Sequence, residues 1–140
     1  MKYLNTYKLF ESNDILNDIN DILLEVNDIE GWEGKSWIDY ERGSTLQSKL
    51  SLNCKYSIVV IIERTDYDFN NAIRIPNDVA NCISHLICFM SKEFEPISND
   101  YEYKLLIGQE EDPELHPLDD DDVHDTELWT NEFIRIEFTK

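Results

Sequence analysis

Long hydrophobic runs are missing from this sequence. The longest apolar stretches, Ile58–Ile62 and Leu86–Met90, are far too short to cross a bilayer. The opening Met1–Phe10 also lacks the apolar core of a signal peptide, because polar and basic residues interrupt it. We therefore expect a cytoplasmic protein with no membrane partner.

Motifs of the common enzyme classes are missing as well. The sequence has no Gly-rich phosphate loop, no G-x-S-x-G elbow and no H-E-x-x-H zinc motif. The three cysteines Cys54, Cys82 and Cys88 are odd in number and lie inside apolar patterns, which predicts reduced core thiols. On one helix Cys82 and Cys88 would lie about 9 Å apart along the axis, too far to share a zinc ion with His85. We expect no enzyme and no cofactor.

Basic residues are absent from Gly108 to Glu127, where twenty residues hold ten acids. The acids of this acidic segment are Glu110, Glu111, Asp112, Glu114, Asp119, Asp120, Asp121, Asp122, Asp125 and Glu127. They supply −10 of the formal net charge of −18. A surface this anionic repels nucleic acid and anionic lipid and attracts basic proteins or cations. We therefore expect a basic protein partner and no direct contact with nucleic acid.

A cation is the alternative ligand for the acidic segment. Asp119–Asp122 is contiguous and has no Gly, so it does not match an EF-hand loop. His116 and His124 could add nitrogen ligands beside the aspartates, but their spacing in a Pro-broken loop is not a recognised metal motif. We predict no metal site. Pro113, Pro117 and the charge run predict a loop without regular structure.

A single domain over 1–140 is expected, with an acidic loop insertion at 108–128. Hydrophobic residues make up 41% of the chain and charged residues 30%, so the chain can bury a core. The first helix is predicted to begin at the N-cap Asn13 and to end before Gly31. Its core face is formed by apolar residues at helical spacing, namely Ile15, Leu16, Ile19, Ile22, Leu23 and Val26.

Alternating and β-branched patterns predict the strands Ser36–Glu41, Leu46–Leu52, Tyr56–Ile62, Tyr101–Ile107 and Glu132–Phe138. A second helix is predicted from its cap Asn77 to about Phe94, with Cys82 and Cys88 among its buried residues. The predicted order is α-β-β-β-α-β-β. The simplest packing is an α+β two-layer sandwich, in which both helices cover one face of a mainly antiparallel sheet of four to five strands.

Acids also form a row on the first helix. Asp14, Asp18, Asp21, Glu25 and Asp28 recur every three or four residues, about 5 to 6 Å apart along the axis. The phosphates of one nucleic-acid strand repeat at roughly 6 to 7 Å along the backbone. Such a row could occupy a nucleic-acid-binding groove on another protein, using the Lys and Arg contacts that phosphates use. The alternative is an ordinary solvated face of an amphipathic helix.

Tryptophans flank these acidic regions. Trp32 follows the first helix and Trp129 follows the acidic segment, and each is either an interface anchor that stacks on arginine or an edge of the core. Trp37, inside a predicted strand, is expected to belong to the core.

The opening residues carry a resemblance. Met1–Ser12, which reads MKYLNTYKLFES, is followed by the amphipathic segment Ile19–Glu25. This start resembles small accessory proteins encoded in tailed-phage genomes, which begin with a Met-Lys-x-Leu/Ile-x-x-Tyr/Phe-x-Leu-Phe-Glu pattern and continue into such a helix. The resemblance covers the first quarter of the chain and brings no catalytic residues. It implies a phage-encoded accessory or virion-associated protein that acts in the host cell.

Three functions follow from these patterns. The first is a non-enzymatic acidic module that inhibits a basic or nucleic-acid-binding host protein by imitating nucleic acid. The second is a virion structural or assembly protein, for which exposed aromatics and strand edges would matter more than acids. The third is an immunity protein that neutralises a basic nuclease toxin. The sequence does not fix the oligomeric state.

Overall fold

A computed structural model of the protein describes residues 2–40, 56–66, 71–91, 101–109 and 114–139, with the side chains of the first helix from residue 14 onward. The elements in chain order are α1 (Lys2–Asn27), β1 (Trp32–Tyr40), β2 (Tyr56–Arg64), β3 (Ile73–Arg74), α2 (Asn77–Met90), β4 (Glu102–Gln109), β5 (His116–Pro117), a 3-10 helix (Asp120–Asp125), β6 (Glu127–Leu128) and β7 (Glu132–Thr139). The predicted strand Leu46–Leu52 lies outside the described residues.

Five strands form one sheet in the order β1-β2-β7-β4-β5, and every neighbouring pair is antiparallel. The two-residue strands β3 and β6 pair separately. The predicted antiparallel sheet is therefore confirmed. The first of its strands begins four residues earlier than predicted, at Trp32 instead of Ser36.

One face of the sheet carries the core. Alternation places Ile58, Val60 and Ile62 of β2 opposite Phe138, Ile136 and Ile134 of β7 on this inner face. These residues form one buried cluster with the apolar sides of α1 and α2. Because side chains alternate along a strand, the helices lie on this face and the odd-numbered residues of β1 and β2 point to the other face. The α+β sandwich with both helices on one face is confirmed.

Helix α1 begins at Lys2, so the prediction of a start at Asn13 is wrong. Asparagine favours an N-cap, but inside a helix it costs only about 0.7 kcal/mol relative to alanine, and a longer helix tolerates that cost. The predicted core face is confirmed, since Ile15, Ile19, Leu23 and Val26 are buried. The helix ends at Asn27, and Gly31 adopts φ 88° in the turn before β1.

The start of β1 lies close against α1. A Cβ at Gly34 would come within 2.8 Å of Leu23 Cδ2, so this position has no room for a side chain. The backbone N–H of Gly34 donates to Asn27 Oδ1 at 2.9 Å, and Ser36 Oγ donates to Asn20 Oδ1 at 2.6 Å. Helix α1 therefore satisfies polar groups of β1, which among the described strands is the outermost on this side of the sheet.

Helix α2 is shorter than predicted. Pro76 occupies the N-cap without a side-chain hydrogen bond, so Asn77 is the first helical residue and not the cap. The helix ends at Met90 instead of Phe94, which itself lies outside the described residues. Its last carbonyl accepts the Tyr101 N–H at 3.0 Å, and this contact leads the chain into β4.

The acidic segment has regular structure, which corrects the prediction of a loop without any. It contains β5, the 3-10 helix and β6. Val123 is 2% exposed and Leu128 is fully buried, so two apolar side chains within the charge run reach the core. Burial of these side chains stabilises the packing of the acidic segment on the rest of the protein despite the segment's charge.

Arg64, at the end of β2, links the end of the acidic segment to the sheet through hydrogen bonds. Its buried guanidinium donates from Nε and Nη2 to the two carboxylate oxygens of Asp66 at 2.9 and 2.7 Å. It also donates to Leu128 O at 2.8 Å and to the carbonyl and side chain of Asn71. One side chain therefore joins β2, the segment after it and β6.

Candidate protein-binding surface

All five acids of the α1 row are exposed. They are Asp14, Asp18, Asp21, Glu25 and Asp28, and they lie on the side of α1 opposite its buried residues. The helix repeat of 3.6 residues creates this division, and a rise of 1.5 Å per residue spreads the row over about 21 Å. The sequence holds no Lys or Arg between Lys8 and Lys35, so the row has no basic neighbour on its own helix from Asp14 onward.

Groups on other described elements do little to neutralise the negative charge of the α1 row. Glu25 Oε1 lies 3.8 Å from His85 Nδ1 on α2, and both side chains are about half exposed. That separation is longer than a hydrogen bond, and a surface contact of this kind contributes little. Asp14, Asp18, Asp21 and Asp28 form no ion pair with any residue that the structure describes.

The described acids of the acidic segment differ in whether their carboxylates have a side-chain partner. Asp120 Oδ2 accepts the Tyr103 hydroxyl at 2.5 Å, and Asp125 pairs with Arg74 at 2.7 Å. Glu114, Asp119, Asp121 and Asp122 are exposed. The remaining predicted site residues of this segment, Glu110, Glu111 and Asp112, lie outside the described residues.

One helix contacts the elements that carry both acidic regions. Helix α2 packs against α1 and also against the 3-10 helix. The exposed residues of α2 are Asn77, Asp78, Asn81, Ser84, His85 and Cys88, and with neutral histidine Asp78 alone among them carries a formal charge. Helix α2 therefore contacts the elements that carry both acidic regions, and Asp78 adds a further exposed carboxylate.

The three tryptophans differ in exposure. Trp32 is only 5% exposed and packs in the core, so its side chain adds little to a binding surface. Trp37, predicted to belong to the core, is 39% exposed on the outer face of the sheet. Trp129 is 47% exposed beside β6, and its backbone N–H donates to Glu132 Oε1. Of the two tryptophans predicted at the site, Trp129 alone offers a large aromatic surface.

Of the two described cysteines, one has the buried environment that the sequence predicts. Cys82 is buried, and burial followed by the charge of Glu25 raises its pKa to about 12. Its thiol lies 3.5 Å from Ile22 O, to which it donates. Cys88 is exposed, so the prediction that it is a core thiol is wrong. It lies two turns along α2 from the exposed Asn81, on the same polar face.

Possible metal ligands do not converge in the described part of the chain. No group of three His, Cys, Asp or Glu side chains there could hold an ion together. His116 lies on β5 and His124 on the 3-10 helix, and both are exposed.

A groove that the sequence did not reveal runs between β4 and the 3-10 helix, with a volume of about 890 Å³. Its lining comprises Tyr103, Lys104, Leu105, Leu106, Pro117, Leu118 and Asp119–Asp122. Only the return of the acidic segment to the edge of β4 brings these residues together. The apolar Leu118 between Pro117 and the aspartates was the available sequence signal, because an apolar residue beside a charge run indicates contact with the protein.

Neither α1 nor α2 is both long and apolar enough, over the residues described, to span a membrane. No family model, no curated protein and no solved structure matches the chain.

Proposed function

We propose that this protein is a non-enzymatic module that binds a basic protein and occupies its nucleic-acid-binding site. The observation that carries this proposal is the α1 row, in which five exposed carboxylates follow one another along a single rigid helix. A helix fixes the spacing of its side chains, whereas a disordered acidic tail does not. The row therefore presents a preorganised line of negative charge.

The spacing of the row suits sites that bind a nucleic-acid backbone. Successive acids are separated by about 4.5 or 6 Å along the helix axis. Lys and Arg side chains that contact successive phosphates can reach carboxylates at this separation. The four acids without an ion pair in the described residues need not lose a partner before binding. The phage resemblance of the opening residues suits an inhibitor of a host defence or host nucleic-acid-binding protein.

A competition experiment tests this proposal. The tagged protein is immobilised and exposed to host nucleic-acid-binding proteins, and bound proteins are then eluted with duplex DNA or with single-stranded RNA at constant ionic strength. We expect a stoichiometric partner that nucleic acid releases. Elution by salt but never by either nucleic acid would contradict mimicry, because it would indicate simple ion exchange.

A matched pair of variants locates the surface. Asp18→Asn with Asp21→Asn removes two charges from the α1 row, and Glu33→Gln with Asp39→Asn removes two from the opposite face of the sheet. The first pair should weaken binding by between about twofold and thirtyfold, from 0.2 to 1 kcal/mol for each exposed contact. The second pair should leave it unchanged. Equal losses would show that total charge matters and the row does not.

A virion structural or assembly role is the second candidate, and exposed aromatic rings favour it. Trp37 on the outer face of the sheet and Trp129 beside β6 are the large aromatic surfaces that such an assembly would bury. A homo-oligomer that persists in high salt, together with no partner released by nucleic acid, would favour this role over the inhibitor.

A further inference from the structure

We infer that the groove between β4 and the 3-10 helix binds an extended, basic segment of a protein partner, as a second site besides the α1 row. The inference rests on the proposed function in one respect, which is that the partner is a basic protein. The volume of about 890 Å³ falls within the range of protein ligand sites, about 300 to 1,000 Å³.

The groove exists because β5 leaves the edge of β4. The two strands pair only at Leu106 with Pro117 and at Ile107 with His116. One more backbone hydrogen bond follows, from Leu118 N–H to Leu105 O at 2.9 Å, and the chain then turns into the 3-10 helix. The N–H of Leu105 points to the same side of β4 as its carbonyl, toward the place where β5 leaves the strand. An extended segment lying along this edge would offer it a carbonyl, as in strand addition.

The walls differ in character. Leu106, Pro117 and Leu118 contribute apolar surface to the lining, and Asp119–Asp122 contribute four carboxylates. Tyr103 fixes Asp120 through its hydroxyl, and the other three aspartates are exposed without an ion pair in the described residues. Lys104 is the one cationic lining residue among those described, so four carboxylates and one ammonium leave a charge of −3. This charge favours a cationic occupant.

Strand geometry specifies the pattern of that occupant. Successive side chains of an extended segment point to opposite sides, so a segment along β4 can direct alternate residues toward the aspartates and toward the apolar wall. A segment in which Arg or Lys alternates with an aliphatic residue satisfies both walls. A helical or uniformly basic segment satisfies only one.

The test uses a blocked eight-residue peptide of alternating Arg and Leu, titrated into the whole protein while backbone amide NMR shifts are followed. Peptides that alternate Glu with Leu, or Arg with Ser, test the charged and the apolar wall separately. We expect the Arg–Leu peptide to shift the amides of Leu105, Leu118 and Asp121, and both other peptides to bind more weakly.

Two variant pairs decide the outcome. Asp121→Asn with Asp122→Asn should weaken the peptide by about threefold to tenfold, whereas Glu33→Gln with Asp39→Asn should not. Circular dichroism checks that each variant is folded. Shifts confined to α1, equal losses in both pairs, or no binding would each overturn the inference. Nucleic-acid competition does not enter this experiment, so the groove site and the mimicry proposal can fail separately.

Discussion

Arg64 shows how a single buried charge is held in this acidic protein. Its guanidinium has no exposed surface and makes five hydrogen bonds, two of them to the carboxylate of Asp66. Because its partner Leu128 lies 64 residues further along the chain, the local pattern around Arg64 does not predict the whole arrangement. Loss of any one acceptor leaves a buried donor unsatisfied, and that costs about 1 to 3 kcal/mol.

Replacing Asp66 with Asn tests this contact. The hydrogen bond from Arg64 lowers the pKa of the Asp66 carboxyl in the folded protein. A lowered folded pKa gives stability above the ordinary carboxyl pKa of about 3.9, and that stability is lost as pH falls through the folded value. We expect Asp66→Asn to lower the free energy of unfolding by about 1 to 3 kcal/mol at neutral pH. The difference from the wild type should shrink toward about pH 2.

Urea unfolding at both pH values measures this difference. Asp39→Asn is the control, since it removes the same charge from an exposed position without an ion pair in the described residues. A deficit in Asp66→Asn that stays constant with pH would show that the Asp66 ionisation does not contribute to stability.

At the scale of elements, periodic apolar patterns predicted which faces of the helices and strands pack in the core. They did not predict where the helices begin, which depends on single residues. The α1 core face and the alternating strands β4 and β7 were predictable, because three or more apolar residues share each face. Asn13 and Asn77 illustrate the limit, since a good capping residue does not become a cap when the helix extends past it or begins at it. The acidic segment was predicted without regular structure because ten charges outweigh the few apolar residues within it.

The candidate protein-binding surface was also predictable only in part. Exposure of the α1 acids follows from the same 3.6-residue repeat that buries Ile19 and Leu23, so sequence sufficed there. Trp32 lies on the inner face of β1 and Trp37 on its outer face, and the predicted strand began only at Ser36, so the sequence did not place Trp32 in the strand. The groove beside β4 depends on the return path of the acidic segment, which involves contacts between distant residues.

Val123 is expected to control the order of the 3-10 helix. It is 2% exposed within a run of acids, so its removal leaves the helix with less apolar contact to the protein. We expect Val123→Ala to speed hydrogen exchange at the amides of residues 120–126, while the amides of β2 and β7 exchange at the wild-type rate. Exchange resolved by NMR measures this.

Asp121→Ala is the matched control, because it shortens an exposed side chain of the same helix. Uniform acceleration across the sheet in Val123→Ala would mean that the helix opens only when the whole protein unfolds. Unchanged exchange would mean that Val123 does not hold it.

At the scale of the whole molecule, a net charge of −18 on 140 residues gives salt two opposite effects. Screening relieves repulsion among the carboxylates, and it also weakens attraction to a basic partner. We expect the free energy of unfolding to rise by at least about 1 kcal/mol, or roughly 3 to 4 °C in Tm, as NaCl increases from about 10 mM to about 0.5 M. Binding of the partner should weaken over the same range.

Thermal unfolding followed by circular dichroism measures the first effect. At about pH 3, where many carboxylates are protonated, the same addition of salt should stabilise the protein much less. A Tm that falls with added NaCl at neutral pH would show that attractive ion pairs, such as Arg64 with Asp66, outweigh the repulsion.

The packing of α1 against β1 also governs how two copies of this protein meet. An outer strand with free polar groups invites another copy to extend the sheet, which is a common route to aggregation. Antiparallel pairing of two β1 strands would place both copies of α1 on the same face, side by side, with their carboxylate rows in close proximity. Asn27 already satisfies the Gly34 N–H that such a copy would need. The same carboxylates that carry the proposed function thus repel identical molecules, so the proposed recognition and colloidal stability would have one origin.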